Sequence, residues 1–262
     1  MAAANAVERA RVPPTSAVRR SARVSLAGKA ETTLHTARFD RERTHARVAV
    51  LDPPSQLLGW CRAKGVADAM IGGFFVRPGG RPLGELRVAG EPLPHVPFDS
   101  PWDGLRACVA LDDGRIALAP RRDLDAEPRG DLLQAGPLLV SDGRNLIGRG
   151  SDPEGFSSGS RQFDSDITEG RYPRAALGFS EDELIAAVCD GRGEHDHGMT
   201  LMEMAAAMVG LGCAAAINLD GGGSASLVLD GGLRNRPREA HGIDLVGGRL
   251  VSTALVFEDR RR

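Results

Sequence analysis

The chain has 262 residues, of which 42% are hydrophobic and 26% are charged, and its formal net charge is −2. These values are ordinary for a globular protein, and the length allows one large hydrophobic core or two small ones. The small net charge gives no reason to expect nucleic acid or a membrane surface as a partner, and no run approaches the roughly 20 apolar residues of a bilayer span.

The N-terminal segment and the cysteines bear on the location of the protein. Residues 1–21 are rich in arginine and lack the apolar core of a secretory signal, so we expect a flexible tail before a domain of residues 22–262, with a transit peptide as the alternative. The cysteines are scattered, without zinc spacing or a dense disulfide framework. We therefore expect a cytoplasmic protein with reduced, buried cysteines. They are Cys61, Cys108, Cys189 and Cys213.

The first half of the chain alternates apolar runs with turn residues, which predicts short strands. One helix is predicted at residues 56–63, with Ser55 as its N-cap and Gly65 as its end. Residues 77–101 are rich in proline and glycine and predict a long irregular segment. The strands predicted in this half are residues 32–39, 46–51, 69–76 (interrupted by Gly72 and Gly73), 105–111 and 115–119.

The second half predicts further hairpins and one clear helix at residues 201–211, capped by Thr200 with Glu203 at the capping-box position. The segment 180–183, SEDE, also fits a capping box, but Asp190-Gly191 follows so soon that we favour a hairpin. Many hairpins with few helices predict a single α+β domain with a mostly antiparallel or mixed sheet. The strands predicted in this half are residues 132–140, 145–147, 175–179, 184–189, 214–219 and 224–229, with a polar loop at 148–171.

Residues 217–224, INLDGGGS, are the most informative stretch of the chain. An apolar run brings Asp220 to three consecutive glycines, whose bare backbone can place N–H groups close to an anion. A strand rather than a helix is predicted after the glycines, and no Gly-Lys-Ser/Thr follows, so the motif is neither a dinucleotide fingerprint nor a P-loop. The alternative is a tight β-turn without chemistry.

Two other patterns are weaker indications of function. Residues 155–159, GFSSG, fit a nucleophile elbow, but polar residues flank them where that motif needs a strand and a helix. Residues 195–197, HDH, lack further ligands at fixed spacing and are typical of a solvated loop. Asp164 and Asp166 are interpreted as loop carboxylates, with a bound loop cation as the alternative. We therefore predict no bound metal and no cofactor.

Several ordered pieces of sequence resemble the phosphodiester glycosidase family over residues 30–258. Two positions depart from the family pattern: Ile71 stands where the family usually has Asn, and Ala175 where it often has Thr. If either group contacts substrate in the family, the substrate of this chain differs. The pieces are GGFF at 72–75, GPLLVSDG at 136–143, RYPRAALG at 171–178, CDGR at 189–192, HGMTLMEMA at 197–205, INLDGGGSASLVLDG at 217–231 and RLVSTALV at 249–256.

The resemblance implies a hydrolase that cleaves the sugar C–O bond of a small-molecule glycosyl phosphodiester and releases sugar and a phosphate monoester. The change at Ile71 motivates a second hypothesis, a non-catalytic phosphosugar-binding protein. A phosphodiesterase that attacks phosphorus, usually with metals, is a third hypothesis, and the sequence lacks the carboxylate–histidine cluster typical of that class.

Glycosidases usually use two carboxylates, but a phosphate leaving group relaxes this need because its second pKa is about 6. The site then requires one carboxylate near the anomeric carbon and a cationic pocket rich in N–H groups. Asp220 is the first candidate, Asp190 the second, and Glu203 the third catalytic carboxylate. Turn formation is the alternative role for both aspartates, and helix capping is the alternative for Glu203.

Arg174 is the leading candidate for binding phosphate, because an arginine that opens an apolar strand needs a partner; a structural ion pair is the alternative. Ser252 should face away from Arg249 and Thr253, because alternate side chains of a strand share one face. The predicted substrate- and phosphate-binding residues are Arg174, Arg192, Asn218, Gly221, Gly222, Gly223, Ser224, Gly73, Arg249, Ser252 and Thr253.

Overall fold

The computed structural model describes residues 17–77, 79–148, 152–156 and 170–260, and strands make up most of the secondary structure in these ranges. The α-helices are α1 (Leu57–Lys64), α2 (Trp102–Leu105) and α3 (Leu201–Gly210). The strands are β1 (Val18–Ser25), β2 (Glu31–Asp40), β3 (Thr44–Gln56), β4 (Asp68–Ile71), β5 (Phe75–Val76), β6 (Arg81–Pro82), β7 (Leu86–Val88), β8 (Glu91–Pro92), β9 (Ala107–Asp112), β10 (Arg115–Pro120), β11 (Asp131–Gln134), β12 (Leu138–Ser141), β13 (Arg144–Asn145), β14 (Arg174–Phe179), β15 (Glu183–Cys189), β16 (Ala215–Asn218), β17 (Leu227–Leu229), β18 (Gly232–Leu233) and β19 (Leu250–Asp259).

The strands form three larger sheets and one two-stranded ribbon, β5-β6. Sheet A has the order β1-β2-β15-β14-β16-β12-β13, sheet B the order β18-β17-β4-β19-β3, and sheet C the order β10-β9-β11-β7-β8. Neighbouring strands pair antiparallel. The expected antiparallel hairpins are therefore confirmed, whereas the expectation of one sheet is wrong.

The largest apolar cluster joins side chains from sheets A, B and C. Phe39 of sheet A stacks on Phe257 of sheet B with ring centroids 4.4 Å apart. A second cluster packs the opposite face of sheet A against α3, through residues such as Met204 and Met208. The central strands of sheet A are buried on both faces, so their ends are held in fixed positions. Several of the predicted site residues lie at these strand ends.

Local signals predicted most elements but misplaced some boundaries. Helix α1 begins after Gln56, which makes no side-chain cap, and the hydroxyl of Ser55 instead donates to the carbonyl of Pro53 (2.8 Å). The predicted N-cap is therefore wrong. Gly65 ends α1 in the left-handed conformation (φ 73°), as expected. The hairpin over residues 105–119 is confirmed, with positive φ at Asp113 and Gly114.

The strand predicted at residues 132–140 is two strands in different sheets. Strand β11 ends at Gln134 in sheet C, and β12 begins at Leu138 in sheet A. Gly136, with φ 112°, and Pro137 lie between them. Because proline has no N–H to donate, it interrupts a central strand, so one apolar run serves two sheets.

The structure has one strand at the N-terminus that the sequence did not predict. Strand β1 begins at Val18, before the expected domain boundary at residue 22, and pairs with β2 along its whole length. All four cysteines are buried free thiols, as expected. Among the described residues, no helix is long and apolar enough to cross a bilayer.

Candidate active site

The three consecutive glycines lie between β16 and β17. The sequence predicted that a strand begins at Ser224, but residues 222–224 form a short 3-10 turn and β17 begins only at Leu227. Gly222 has φ 58°, and its N–H donates to the carbonyl of Pro173 (2.8 Å). The turn therefore needs glycine at this position to reach the left-handed conformation without strain.

The backbone of Tyr172 and Pro173 is enclosed by three glycines from separate segments. A Cβ atom added to Gly221 would lie 2.7 Å from the carbonyl O of Pro173, and one on Gly191 would lie 2.6 Å from its N. A Cβ on Gly198, where φ is 86°, would lie 2.5 Å from the carbonyl C of Tyr172. Bare backbone at all three positions lets this segment pack directly against the glycine turn.

Asp220 follows β16 directly and stands beside the glycine turn. Its Oδ1 accepts the N–H of Gly221 (2.8 Å), which fixes the orientation of the carboxyl group. Burial raises the pKa of this carboxyl to about 6, although the Ser224 hydroxyl and the charges of Arg249 and Arg77 oppose the rise. Asp220 is partly exposed, so it is both accessible and tuned to exchange a proton near neutral pH.

Two guanidinium groups face the glycine turn. A Cβ atom on Gly222 would lie 3.3 Å from the guanidinium of Arg192, and one on Gly223 would lie 3.2 Å from that of Arg249. Burial lowers the pKa of Arg192, but an arginine remains charged at neutral pH. The guanidinium carbon of Arg192 also lies 5.7 Å from the ring centroid of Tyr172. The positive charges of Arg192 and Arg249 therefore lie close to the bare backbone of the glycine turn.

A second carboxylate, Glu239, lies between these arginines and was missed by the sequence analysis. Its Oε1 accepts from Nε of Arg249 (2.8 Å) and from the terminal nitrogen of the same group, and its Oε2 is 3.5 Å from Arg192. Burial opposes ionisation, but the hydrogen bond and charge of Arg249 lower the pKa of Glu239. Asp220 and Glu239 therefore have opposite pKa shifts at one turn.

Several predicted binding residues serve the structure around the turn. The side-chain amide of Asn218 donates to the carbonyls of Gly136 (3.0 Å) and Leu219 (2.9 Å). The N–H of Gly73 donates to Oγ1 of the buried Thr253 (3.0 Å). The Gly73 N–H and the Asn218 amide nitrogen are therefore already engaged without a ligand, whereas Asn218 Oδ1 is buried without a hydrogen-bond partner among the described residues.

The two predicted serines differ in their contacts. The Ser224 hydroxyl interacts with the Asp220 carboxyl, whose pKa it lowers, whereas Ser252 Oγ is buried without a hydrogen-bond partner among the described residues. Ser252 lies where the pairing of β19 with β3 shifts register, so strict alternation does not fix its direction. A buried hydroxyl without a partner is costly, and a bound polar ligand would relieve that cost.

Asp190 has both carboxylate oxygens in internal hydrogen bonds. Oδ1 accepts the N–H of Arg236 (2.6 Å), and Oδ2 lies 2.9 Å from Nε2 of His35. Asp190 is 3% exposed, which leaves almost no surface for a ligand. It holds together the segments that carry Arg192 and Glu239, so we now assign it a positioning role rather than that of second catalytic carboxylate.

Arg174 and Glu203 both hold segments near the site. The buried guanidinium of Arg174 donates to the carbonyls of Met199 (2.6 Å) and Gly170 (3.3 Å). Glu203 forms the predicted capping box with Thr200 and also an ion pair of 2.6 Å with Arg171. That ion pair keeps the pKa of Glu203 low despite burial. Helix capping, the alternative role considered for Glu203, is confirmed, whereas the hydrogen bonds of Arg174 to backbone carbonyls are a structural role different from the ion pair considered for it.

The weaker sequence patterns are only partly described by the structure. The Asp196 carboxylate accepts from the N–H of Thr33 (2.8 Å) and from Arg23 (2.6 Å), so it attaches its loop to sheet A. Residues 157–159 of the GFSSG pattern, together with Asp164 and Asp166, lie outside the described residues. Within the described ranges, no group of three or more His, Cys, Asp or Glu residues could hold a metal ion.

Comparison with known proteins identifies the family. The phosphodiester glycosidase family matches residues 64–258, which is more than half of the chain and includes the glycine turn, both arginines and both carboxylates. The chain belongs to the phosphodiester glycosidase family. The fold agrees: it resembles the zebrafish N-acetylglucosamine-1-phosphodiester alpha-N-acetylglucosaminidase catalytic domain, auto-inhibited by its pro-peptide, with a TM-score of 0.71.

The similarity to that zebrafish domain covers 95% of this chain and 84% of the other at 19% identity, so it shows the fold alone. A hypothetical protein from Synechocystis is also similar, with a TM-score of 0.65 and 18% identity over 95% of this chain and 64% of that one. The uncharacterized SPbeta prophage-derived protein YomE of Bacillus subtilis is 29% identical over 136 residues, which are 50% of this chain and 19% of that protein.

The two departures of this chain from the pattern of its family are both buried. Ile71 ends β4 and Ala175 lies in β14, and each has 0% of its surface exposed. Neither side chain can contact a ligand at the glycine turn without rearrangement of the core.

We expect Glu203→Gln to retain most of its activity, with a small loss of stability. Glutamine serves a capping box nearly as well as glutamate, and loss of a partly exposed ion pair costs about 1 kcal/mol or less. Thermal melting and turnover per folded molecule test this, with Arg171→Gln as a control that removes the same ion pair but leaves the cap. A large loss of turnover in the glutamine variant alone would place Glu203 in the reaction.

Proposed function

We propose that this protein is a hydrolase that cleaves the sugar C–O bond of a glycosyl phosphodiester and releases sugar and a phosphate monoester. The observation that carries the proposal is the position of Asp220, whose pKa is raised to about 6, beside a glycine turn that Arg192 and Arg249 face. Family membership supports phosphodiester glycosidase activity in general. The bond cleaved and the substrate are our inference from the site.

The arginines suit the phosphate part of such a substrate. A guanidinium presents a planar set of N–H donors that matches two phosphate oxygens, and here the glycines allow close approach. Glu239 offsets part of the positive charge and holds the Nε edge of Arg249, which keeps that group in a fixed orientation. A phosphate monoester leaves readily without protonation, because its second pKa is about 6, so this side needs no general acid.

Asp220 suits the sugar part of the reaction. A pKa near 6 leaves the carboxylate ionised at neutral pH, yet basic enough to accept a proton from water that attacks the anomeric carbon. The same negative charge stabilises positive charge on the sugar in the transition state. The hydrogen bond from Gly221 fixes the carboxylate, which reduces the reorganisation needed during the reaction.

Hydrolysis in oxygen-18 water tests which bond breaks. We would incubate the protein with hexosyl and N-acetylhexosaminyl 1-(ethyl phosphates) of both anomeric configurations and analyse both products by mass spectrometry. We expect the label in the released sugar, because water attacks carbon. Label in the ethyl phosphate would overturn the proposal in favour of attack on phosphorus. Binding of these compounds without turnover would favour a phosphosugar-binding protein.

A further inference from the structure

A second cluster of reactive groups lies at the edge of sheet A. Ser21 Oγ is 2.8 Å from Nδ1 of His35, and Nε2 of His35 is 2.9 Å from Oδ2 of Asp190. Ser21 and His35 are directly opposite each other on β1 and β2, outside the residues 64–258 that match the family. The three side chains form a continuous serine–histidine–aspartate chain of hydrogen bonds.

The hydrogen-bond partners fix the proton arrangement of this chain. A carboxylate only accepts, so Nε2 of His35 must donate its proton to Asp190. In the neutral imidazole Nδ1 then has a free lone pair, and it faces the Ser21 hydroxyl as an acceptor. Serine hydrolases use the same three groups with the two ring nitrogens exchanged, and either nitrogen can act as the base.

The chain is rigid at its buried end and open at the other. Asp190 is fixed by the N–H of Arg236 and, through its carbonyl, by the hydroxyl of Thr32 (2.7 Å). His35 is 7% exposed, whereas Ser21 is exposed at the surface. A base held by a buried carboxylate next to an accessible hydroxyl is the arrangement that activates a serine nucleophile.

Ion pairs order the side chains on either side of Ser21. Arg19 and Arg23 stand two residues to either side of Ser21 on β1, on the same face of the strand. They pair with Asp230 and Asp196 respectively, which orders their side chains. Asp68 also lies 3.6 Å from Arg19, and Glu31 2.9 Å from Arg23, so carboxylates neutralise both arginines and the reactivity of Ser21 depends on His35 and Asp190.

We propose that Ser21 is an activated nucleophile that reacts with small activated acyl and phosphonyl esters, at a site separate from the glycine turn. The Ser21 oxygen attacks the carbonyl carbon or the phosphorus and passes its proton to Nδ1 of His35. The bond to the leaving oxygen or fluoride breaks, and that group departs with the proton. Water, with His35 again as the base, then hydrolyses an acyl–serine, whereas a phosphonyl–serine persists and can be detected.

The test is labelling of the full chain with a biotinylated alkyl fluorophosphonate, followed by peptide mass spectrometry. We expect one adduct per molecule, on Ser21. Folded Ser21→Ala should remain unlabelled, and His35→Gln, whose side-chain amide can still donate to Asp190, should react about 100-fold more slowly because the base is lost. Ser25→Ala is the matched control, because Ser25 is exposed on the same face of β1 without a histidine opposite, and it should label normally.

Four results would overturn the proposal. They are the absence of any adduct, an adduct that persists in Ser21→Ala, equal labelling of Ser25, and an unchanged labelling rate in urea-unfolded protein. An unchanged rate in folded His35→Gln would also overturn it; if that variant does not fold, the comparison of Ser21→Ala with Ser25→Ala decides. Asp220→Asn should label like the native protein, and Ser21→Ala should retain glycosyl phosphodiester turnover, so the two proposed sites are tested independently.

Discussion

Asp220→Asn is expected to reduce hydrolysis of a glycosyl phosphodiester by about 100-fold or more while the chain stays folded. The amide has nearly the same shape and can still accept the N–H of Gly221, so the turn should persist. It cannot take a proton from water or stabilise positive charge on the sugar. Turnover and melting temperature, measured side by side, test this prediction.

The raised pKa of Asp220 predicts how activity and stability depend on pH. In the native protein, kcat/KM should rise with pH through about 6, because the base must be ionised. Since the folded pKa is raised, the folded state binds more protons than the unfolded one between about pH 4 and 6. Ionisation therefore reduces the stability of the native protein as pH rises through that window.

The Asn variant lacks this ionisation, so its melting temperature relative to the native protein should increase from pH 4 to pH 7. Asp142→Asn is the matched control, because Asp142 also precedes a glycine at a strand end but is exposed. The control should keep native activity. Near-native turnover by a well-folded Asp220→Asn protein would remove Asp220 from the mechanism.

Asp190→Asn is expected to destabilise the fold and to raise KM more than it lowers kcat. In the native protein each Asp190 oxygen accepts one hydrogen bond, from the N–H of Arg236 and from His35. An asparagine side chain has only one oxygen, so one of these two donors would lose its acceptor. A buried donor without a partner costs about 1–3 kcal/mol. The segments that carry Arg192 and Glu239 would then lose their common attachment, which weakens binding of phosphate before it affects the chemical step.

Urea unfolding and steady-state kinetics separate positioning from catalysis at Asp190. Thr32→Val is the control, since it removes only the hydroxyl bond to the Asp190 carbonyl and should shift stability with a smaller change in KM. A fall in kcat as large as that of Asp220→Asn, with unchanged stability, would restore Asp190 as a catalytic carboxylate.

The sequence predicted those features whose physical cause is local. The hairpin of β14 and β15 follows from two apolar runs around a polar turn, and it is confirmed. The capping box of Thr200 and Glu203 requires residues three apart, and it is confirmed as well. The Asp220–glycine motif was conspicuous because an apolar strand, a carboxylate and bare backbone are adjacent in the chain.

The features that the sequence could not reveal depend on distant partners. Strand β1 has little apolar pattern of its own, and its pairing with β2 accounts for its conformation. Glu239 carries no motif, and it joins the site only because Arg249 and Arg192 come from other segments. Burial of both Asp190 oxygens requires His35, which is 155 residues away, so its sequence surroundings gave no indication of it.

Tyr172 and Pro173 have a consequence for how this site can diversify. Their backbone touches Gly191, Gly198 and Gly221, so a side chain at any one of these glycines would displace the same short segment and, with it, the turn beside Asp220. We therefore expect these three glycines to tolerate no larger residue. The opposite side of the site is contributed by Glu239, which holds Arg249, and by the residues that follow it, of which Ala240 and Ile243 have exposed side chains. We therefore expect substitutions at Ala240 and Ile243 to change substrate preference with less effect on the turn than substitutions at the three glycines.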